Sequence, residues 1–404
     1  MISVLQAKEL IDRHSRSLAS ETVSLDRAHG RILREPVACS EDMPPFDRSA
    51  MDGYAILAAD PASEFEVVAE IRAGQAIDRR LQPGQAIRIL TGARLPGAGL
   101  KVVMQEHVEA GDGRIRLLKH SSVSNVRQQG EDARAGEVLL EPGLALDATA
   151  IALLAAIGKT SLLVSKQPTV LHLTTGDEIV PAEQTPALGQ IRNSNAPLIS
   201  TLCRENGLDH VSHFHIGDDL PALLRIVGEA KAETYAIVLI SGGSGQGTYD
   251  FSAELFRHRD ATIHFREVNV RPGKPLIFGT ASQTAGAQII FGLPGNALSH
   301  YVCFHLFVRR ALDRLLGRPT PTVAQGLLTE SVFDTLNSRE TWWPAQAGLK
   351  EGRLECRALA WKSSGDITRL PAASALIQVP ASTSHLSAGT MVELILTRAL
   401  SSIC

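Results

Sequence analysis

The chain has 404 residues, 44% of them hydrophobic and 21% charged, with a formal net charge of −3. That length holds roughly two to four domains, each with a core of its own, and the balance is that of an ordinary water-soluble globular protein. It excludes a broad basic field for nucleic acid or anionic membranes, so an anionic ligand would need local cations.

The cysteines Cys39, Cys203, Cys303, Cys356 and Cys404 are far apart and lack CxxC spacing. This argues against a zinc finger or disulfide framework and for a reducing compartment. The N-terminal MISVLQAKELIDRHS carries charges within its first turns, unlike a signal peptide. The longest apolar stretch, 148–157, is too short to span a bilayer. The expectation is a cytoplasmic protein with no membrane partner. With only 4% aromatic residues and no basic–aromatic platform, a nucleic-acid partner is not expected either.

In chain order, the first 30 residues read as a helix, in which Val4, Leu5, Leu10, Ile11 and Leu18 recur at roughly helical spacing. Turn formers follow at 41–47. From Tyr54 to about Val138, short alternating strands such as EFEVVAEI and LKVVMQEHVE are separated by Gly and Pro, which reads as a β-rich insert. Asp147 caps a small-residue helix that ends at Gly158 and is expected to pack back on the N-terminal helix. Between 169 and 317 strands and helices alternate: TVLHLTT, APLISTLCREN, DHVSHFHIG, DLPALLRIVGEA, YAIVLI, DFSAELFRH, QIIFGL and a long helix from ALSHYV onward. That rhythm predicts a mostly parallel sheet with helices on both faces. The last stretch returns to strands such as RLECRALAW and TMVELILTRAL. The fold class is therefore α/β multidomain. Its parts are a discontinuous helical and linker domain (1–45 plus 139–167), a β-rich insert (46–138), an α/β domain (168–318) and a C-terminal small β-barrel (319–404).

Several segments carry chemistry. Ser241-Gly242-Gly243-Ser244-Gly245-Gln246-Gly247-Thr248-Tyr249-Asp250 follows an apolar strand and opens a helix. Backbone N–H groups of such a turn can approach an oxyanion, and the helix terminus adds favourable charge. It is neither a Walker A loop nor a dinucleotide fingerprint, and its glycines favour an anion site over a plain tight turn. Thr174-Thr175-Gly176-Asp177-Glu178 suits Mg2+ held by a few carboxylates, or equally a helix cap. Pro294-Gly295-Asn296-Ala297-Leu298-Ser299 opens another helix, where capping is the better reading by itself. Arg271-Pro272-Gly273-Lys274 places two cations around a rigid turn, as an oxyanion clamp or a solvated basic turn. Four such segments in one sheet favour a shared anion pocket. Asp52 and Asp132 sit beside glycine turns, and the residues alone assign them no role. His172, His213 and His215 alternate in predicted strands and read as strand histidines rather than a metal cluster.

Taken together, MPPFDRSAMDGYA, LTGARLPGA, GEDARAG, TTGDEIV, SGGSGQGTYDF, RPGKP and GLPGNALS, in this order, resemble the molybdopterin molybdenumtransferase family, which includes bacterial MoeA and the C-terminal domain of gephyrin. The resemblance runs from about residue 5 to the C-terminus, more weakly in the last domain, through Ser363-Ser364-Gly365 and AGTMVELIL. It implies an elongated homodimer of four-domain subunits, each with an α/β domain similar to molybdopterin adenylyltransferase and a cleft completed by the partner's insert. It also implies molybdopterin adenylate and molybdate as substrates, AMP release, a divalent cation usually taken as Mg2+, and contacts with other molybdenum cofactor enzymes. Carried onto this chain, the resemblance implies catalytic roles for Asp52, Asp132, Glu178, Asp218 (Asp219 being the alternative), Asp250, Arg271 and Lys274. It implies binding roles for Thr175, Gly176, Asp177, Ser241, Gly242, Gly243, Ser244, Gly247, Pro294, Gly295, Asn296 and Ser299, and leaves the metal ligands unassigned.

The chain departs from the family pattern at Asn193, usually Asp; at Ser244 and Gly245, usually Val-Ser; at Glu267, usually basic; at Arg271, often Lys; and at Ala297, usually Pro, with His300 after the serine. These changes touch the implied oxyanion contacts. They keep a non-catalytic binding or scaffold paralogue as the alternative reading, beside an adenylyltransferase, against which the insert and C-terminal domain argue.

Overall fold

The computed structural model describes residues 1–120, 122–229, 234–242, 251–283, 286–320, 323–334 and 338–398. The chain forms two compact units: Met1–Arg34, Gly143–Asp147 and Leu162–Cys404 make one, and Glu35–Pro142 and Ala148–Ser161 the other.

The smaller unit is built on six strands in the order Leu100–Met104, Gly53–Leu57, Gln85–Ile89, Glu64–Ile71, Arg114–Leu117 and Val108–Gly111. Successive residues of one strand face opposite ways. Ala55 therefore joins Ile71, Ile87, Ile89 and Val102 in one core, while Tyr54 and Ile56 join Phe65, Ala86 and Ile115 in another. Gly53 is required where it stands, because a Cβ there would lie 2.0 Å from the Val103 carbonyl oxygen. That close passage of two strands fixes the preceding Asp52 at the start of this interior strand. The short helix Ala148–Ala156 also belongs to this unit.

In the larger unit a six-stranded sheet runs Val211–Ile216, Val170–Thr175, Ile237–Ser241, Gly286–Leu293, Ile277–Gln283 and Thr262–Phe265. The first four are parallel; the last two pair antiparallel. Val170–Thr175 and Ile237–Ser241 are buried along their whole length, as apolar strands covered on both faces must be. One face packs on Ile199, Leu202, Leu298 and Val302, the other on Leu223, Val227, Phe251 and Leu255. The long predicted helix forms from Ala297 to Leu316, with a wide turn of π type at Phe304–Val308, and stops at Gly317 in a left-handed conformation (φ +68°).

The remaining strands close a small barrel. Glu340–Lys350 pairs with Arg353–Ala358, which is followed by Ala324–Leu328, Met391–Leu396 and Ala375–Val379, and the last pairs back with Glu340–Lys350. Leu328, Ala345, Ala347, Cys356, Ile377 and Leu394 fill it. The short strand Val270–Arg271 runs parallel to its edge at Glu340 and Thr341.

The N-terminal helix is shorter than its apolar spacing suggests. It spans Val4–His14, starts with a capping box between Ser3 and Gln6, and ends at Ser15, whose backbone is extended. Serines after it give the backbone competing hydrogen bonds and so end the helix, and a strand follows at Ser20–Ser24. The helix Val4–His14 is tied to the helix Arg309–Leu316 of the same unit: Asp12 accepts from Arg310 at 2.7 and 2.6 Å and from Arg314 at 2.9 and 2.8 Å. The expected partner, the helix at 148–156, lies in the other unit. Cys39, Cys203, Cys303 and Cys356 are free and buried, and no helix among the described residues is long and apolar enough to cross a membrane.

Candidate functional site

Three parallel strands of the larger unit end level with one another, Thr174 pairing with Ser241 and Ser241 with Leu293. The turns after them carry Gly176-Asp177-Glu178, Gly242 and Pro294-Gly295-Asn296. Ligands of open α/β sheets bind at such carboxyl ends, and here the turns line a cleft. Its inner part, about 250 Å3, is bounded by Thr175, Glu178, Asn193, Ser241, Gly242 and Asn296. An outer part, about 580 Å3, shares Glu178, Gly242, Gly295 and Asn296 and adds Arg271, Lys274, Ser299, Arg339 and Lys362.

The glycine-rich turn starts under tight constraint. Gly242 has φ +94°, and a Cβ on it would lie 2.7 Å from Thr175 Oγ1 and 3.0 Å from the Thr175 carbonyl oxygen. Thr175 Oγ1 donates to the Ser241 carbonyl at 3.3 Å. Residues 243–250, with Gly243, Ser244, Gly247 and Asp250, lie outside the described residues. At the neighbouring turn Gly176 (φ +129°) makes room for the Glu178 carboxylate, which a Cβ would meet at 2.5 Å. Asp177 accepts the Asp218 backbone N–H at 2.9 Å and so holds this turn to the next strand end. The Asp218 carboxyl is pushed above its ordinary range by partial burial and by the charges of Asp177 and Glu178.

The basic side of the cleft is more engaged than the sequence alone suggests. Arg271 pairs with Asp334, a buried carboxylate that also accepts from Thr341 Oγ1 at 3.1 Å. The guanidinium lies 5.0 Å from the centre of the Trp361 ring. Lys274 Nζ lies 3.4 Å from Glu267. Even so, among the described lining of the outer cavity Arg271, Lys274, Arg339 and Lys362 face a single carboxylate, Glu178. That excess of positive charge suits an oxyanion.

Asn296 stands at the start of its helix, but its side chain does not cap it. The amide donates instead to Ser364 Oγ at 2.7 Å, which ties the strand-end turn to the segment 362–365. Asn193 donates to Thr174 Oγ1 at 3.0 Å and accepts the Ala196 N–H at 3.0 Å. Asparagine can do both at once, which the ionised aspartate common at this position cannot.

Asp52 and Asp132 stand in the smaller unit. Asp52 Oδ1 accepts from the Thr91 backbone N–H and Oγ1, each at 2.7 Å, which hold its carboxyl below the ordinary range. Asp132 pairs with Arg127. The structure thus brings Thr175, Glu178, Ser241, Gly242, Arg271, Lys274, Pro294, Gly295, Asn296 and Ser299 to one cleft, with Gly176, Asp177 and Asp218 in the turns beside it. Arg339, Trp361 and Lys362 were not singled out from the sequence. Trp361 and Lys362 directly precede Ser363-Ser364-Gly365, the one local signal beside them, and Arg339 has none.

Comparison with known proteins shows the family. Residues 2–158 match the profile of the MoeA N-terminal region (domain I and II), residues 172–314 that of a "Probable molybdopterin binding domain", and residues 332–397 that of the MoeA C-terminal region (domain IV). Proteins named molybdopterin molybdenumtransferase from Staphylococcus epidermidis and Staphylococcus aureus are 31% and 30% identical, each over 98% of this chain and 96% of the relative. The crystal structure of the molybdopterin biosynthesis MoeA protein of Pyrococcus horikoshii superposes with a TM-score of 0.82 at 28% identity, over 99% of this chain and all of that one. The chain belongs to the MoeA family, the molybdopterin molybdenumtransferases of molybdenum cofactor biosynthesis.

Proposed function

We propose that this enzyme inserts molybdate into the dithiolene of adenylylated molybdopterin and releases AMP. The observation that carries the reading is the cleft in which three strand-end turns meet four cationic side chains and one carboxylate. The adenylate brings a phosphoanhydride and molybdate two further negative charges. Arg271, Lys274, Arg339 and Lys362 would hold these anions. Backbone at Gly242 and Gly295 allows close approach. Hydrolysis of the anhydride is then largely positioning and charge neutralisation.

A divalent cation, Mg2+, fits the acidic edge. Partial burial, and after it the charges of Asp177 and Glu178, push the Asp218 carboxyl up, and a bound cation would relieve the repulsive part. Among the described residues no three His, Cys, Asp or Glu side chains group to hold a metal. Such an edge suits Mg2+, which takes one or two carboxylates and completes its shell with water and substrate phosphate. Glu178 and Asp218 would hold the ion, and it would neutralise charge on the leaving phosphate. Asp52, Asp132 and Asp250 complete the proposed set of acids that orient water and cation. The first two would come from the partner subunit of a cytoplasmic homodimer, whose product passes to other molybdenum cofactor enzymes.

The test is AMP release from molybdopterin adenylate with Mg2+, with and without molybdate. Molybdate-dependent release that is lost in Glu178→Ala supports the reading; tight adenylate binding without release under molybdate or tungstate sinks it in favour of a binding paralogue. Mixing Glu178→Ala with Asp52→Ala tests the shared cleft. Activity returns on mixing if each cleft draws on two subunits, and stays absent if it does not.

A further inference from the structure

Below the cleft floor lies a hydrogen-bonded row of side chains of which only Ser241 borders the cleft. Strand alternation puts His172 on the sheet face shared by Val170, opposite Leu171 and Leu173. Ser241 shares that face with Ile237 and Leu239 and ends its strand directly before Gly242. His300 reaches them from the helix Ala297–Cys303. His172 and His300 are wholly buried and Ser241 is 2% exposed. His172 Nε2 lies 2.6 Å from Ser241 Oγ, and Ser241 Oγ lies 2.5 Å from His300 Nε2.

The proton on each bond can be assigned. His300 Nδ1 is 3.2 Å from the Asn296 carbonyl oxygen, which can only accept. Nδ1 therefore carries the proton and Nε2 is the acceptor. Ser241 donates to His300, and its oxygen receives the Nε2–H of His172. His172 Nδ1 is left as a buried lone pair without a partner among the described residues. The other tautomer would bury an unpaired N–H there and set two lone pairs against each other at Ser241. Burial also keeps both rings neutral, His300 being pushed down to about 4 and His172 well below the ordinary range.

We propose that His172 and His300 are positioning residues that clamp the Ser241 hydroxyl from two sides, fixing the start of the glycine-rich turn against the Asn296 turn. The geometry rests on these hydrogen bonds alone; its consequence for rate rests on the transferase reading above. Ser241 acts as a peg and not as a nucleophile, since its proton and its oxygen are both engaged inside the row. Oxyanion donors work best when they need no rearrangement as the reaction proceeds, and the clamp supplies that rigidity to the two backbones lining the inner cleft.

A double-mutant cycle tests this in the full chain. Ser241→Ala, His300→Leu and the two together are compared for affinity toward inorganic pyrophosphate by calorimetry, and for kcat and KM of AMP release. Each single change is expected to weaken pyrophosphate and lower kcat by about tenfold, with KM moving less, and the double variant to be no worse than the poorer single. His300→Gln, whose amide oxygen can accept the Ser241 proton, is expected to restore most of the loss. Should His300→Leu fail to fold, His172→Leu runs the same cycle from the other side. Strictly additive losses, or a His300→Leu enzyme equal to wild type, overturn the proposal. If wild type binds pyrophosphate but releases no AMP, the transferase reading fails, and the pyrophosphate cycle still decides this one.

Discussion

At the scale of single residues, the cleft's cations are tempered by acids. Glu267 lies 3.4 Å from Lys274, both partly exposed, so solvent screening keeps this pair weak, about 0.5 kcal/mol. Glu267→Gln should therefore tighten molybdate binding only about twofold, while Lys274→Ala should weaken it more. Equilibrium binding of molybdate measures both, and weaker binding by Glu267→Gln would contradict the pairing. Asp334 is different, because its side chain is 3% exposed and pairs with Arg271. Removing one partner of a largely buried pair is destabilising, so Asp334→Ala should cost about 3 kcal/mol in urea denaturation. Neither pairing was legible in the sequence. Glu267 and Asp334 lie in stretches without a motif, and only the parallel pairing of Val270–Arg271 with the barrel edge brings Arg271 to Asp334.

Among the elements, the strand-end turns differ in how much they tolerate. At Gly242 a Cβ would press on Thr175 at 2.7 Å in a left-handed backbone conformation. Gly242→Ala should cost about 1–3 kcal/mol and most of the turnover. Gly295 has open space within 4 Å of its Cβ position and no positive φ, so Gly295→Ala should leave the melting temperature near wild type. Equal losses from the two would show that the turns are not constrained as described. The four parallel strands and the glycine turns could be read from the chain, because a buried parallel strand is largely an apolar run and a turn needs its glycine, whereas their order across the sheet could not. The N-terminal helix was overread. Its apolar spacing continued to Leu18, but the serines from Ser15 onward stop it.

For the molecule as a whole, buried neutral histidines set the acid limit. The folded state holds His300 at about 4 and His305 at about 3, against an ordinary 6.5. The unfolded chain binds these protons first. Stability is therefore fully present above pH 6.5 and falls as pH drops from there toward 4, by up to about 1.4 kcal/mol per histidine per pH unit. Urea denaturation should show a loss of several kcal/mol between pH 7 and 5, steeper than in His305→Leu; a flat profile would contradict neutral burial. Asp12 acts lower. Burial opposes its ionisation, but hydrogen bonds from Arg314 and Arg310 outweigh that and hold its carboxyl below 3.8. Its contribution is present above 3.8 and is lost only as pH falls below it.

By itself the sequence determined the fold class, the family and the strand-end turns of the cleft. Apolar periodicity, glycine placement and motif order are local properties that survive without contacts. Tertiary structure alone decided that Arg339 and Lys362 join Lys274, that Asp334 and Glu267 temper the basic side, and that His172 and His300 meet at Ser241. Those depend on register across a sheet and on the approach of distant segments. Hydrogen bonds and charge pairs act over a few ångströms in space, and separation along the chain carries no record of that distance.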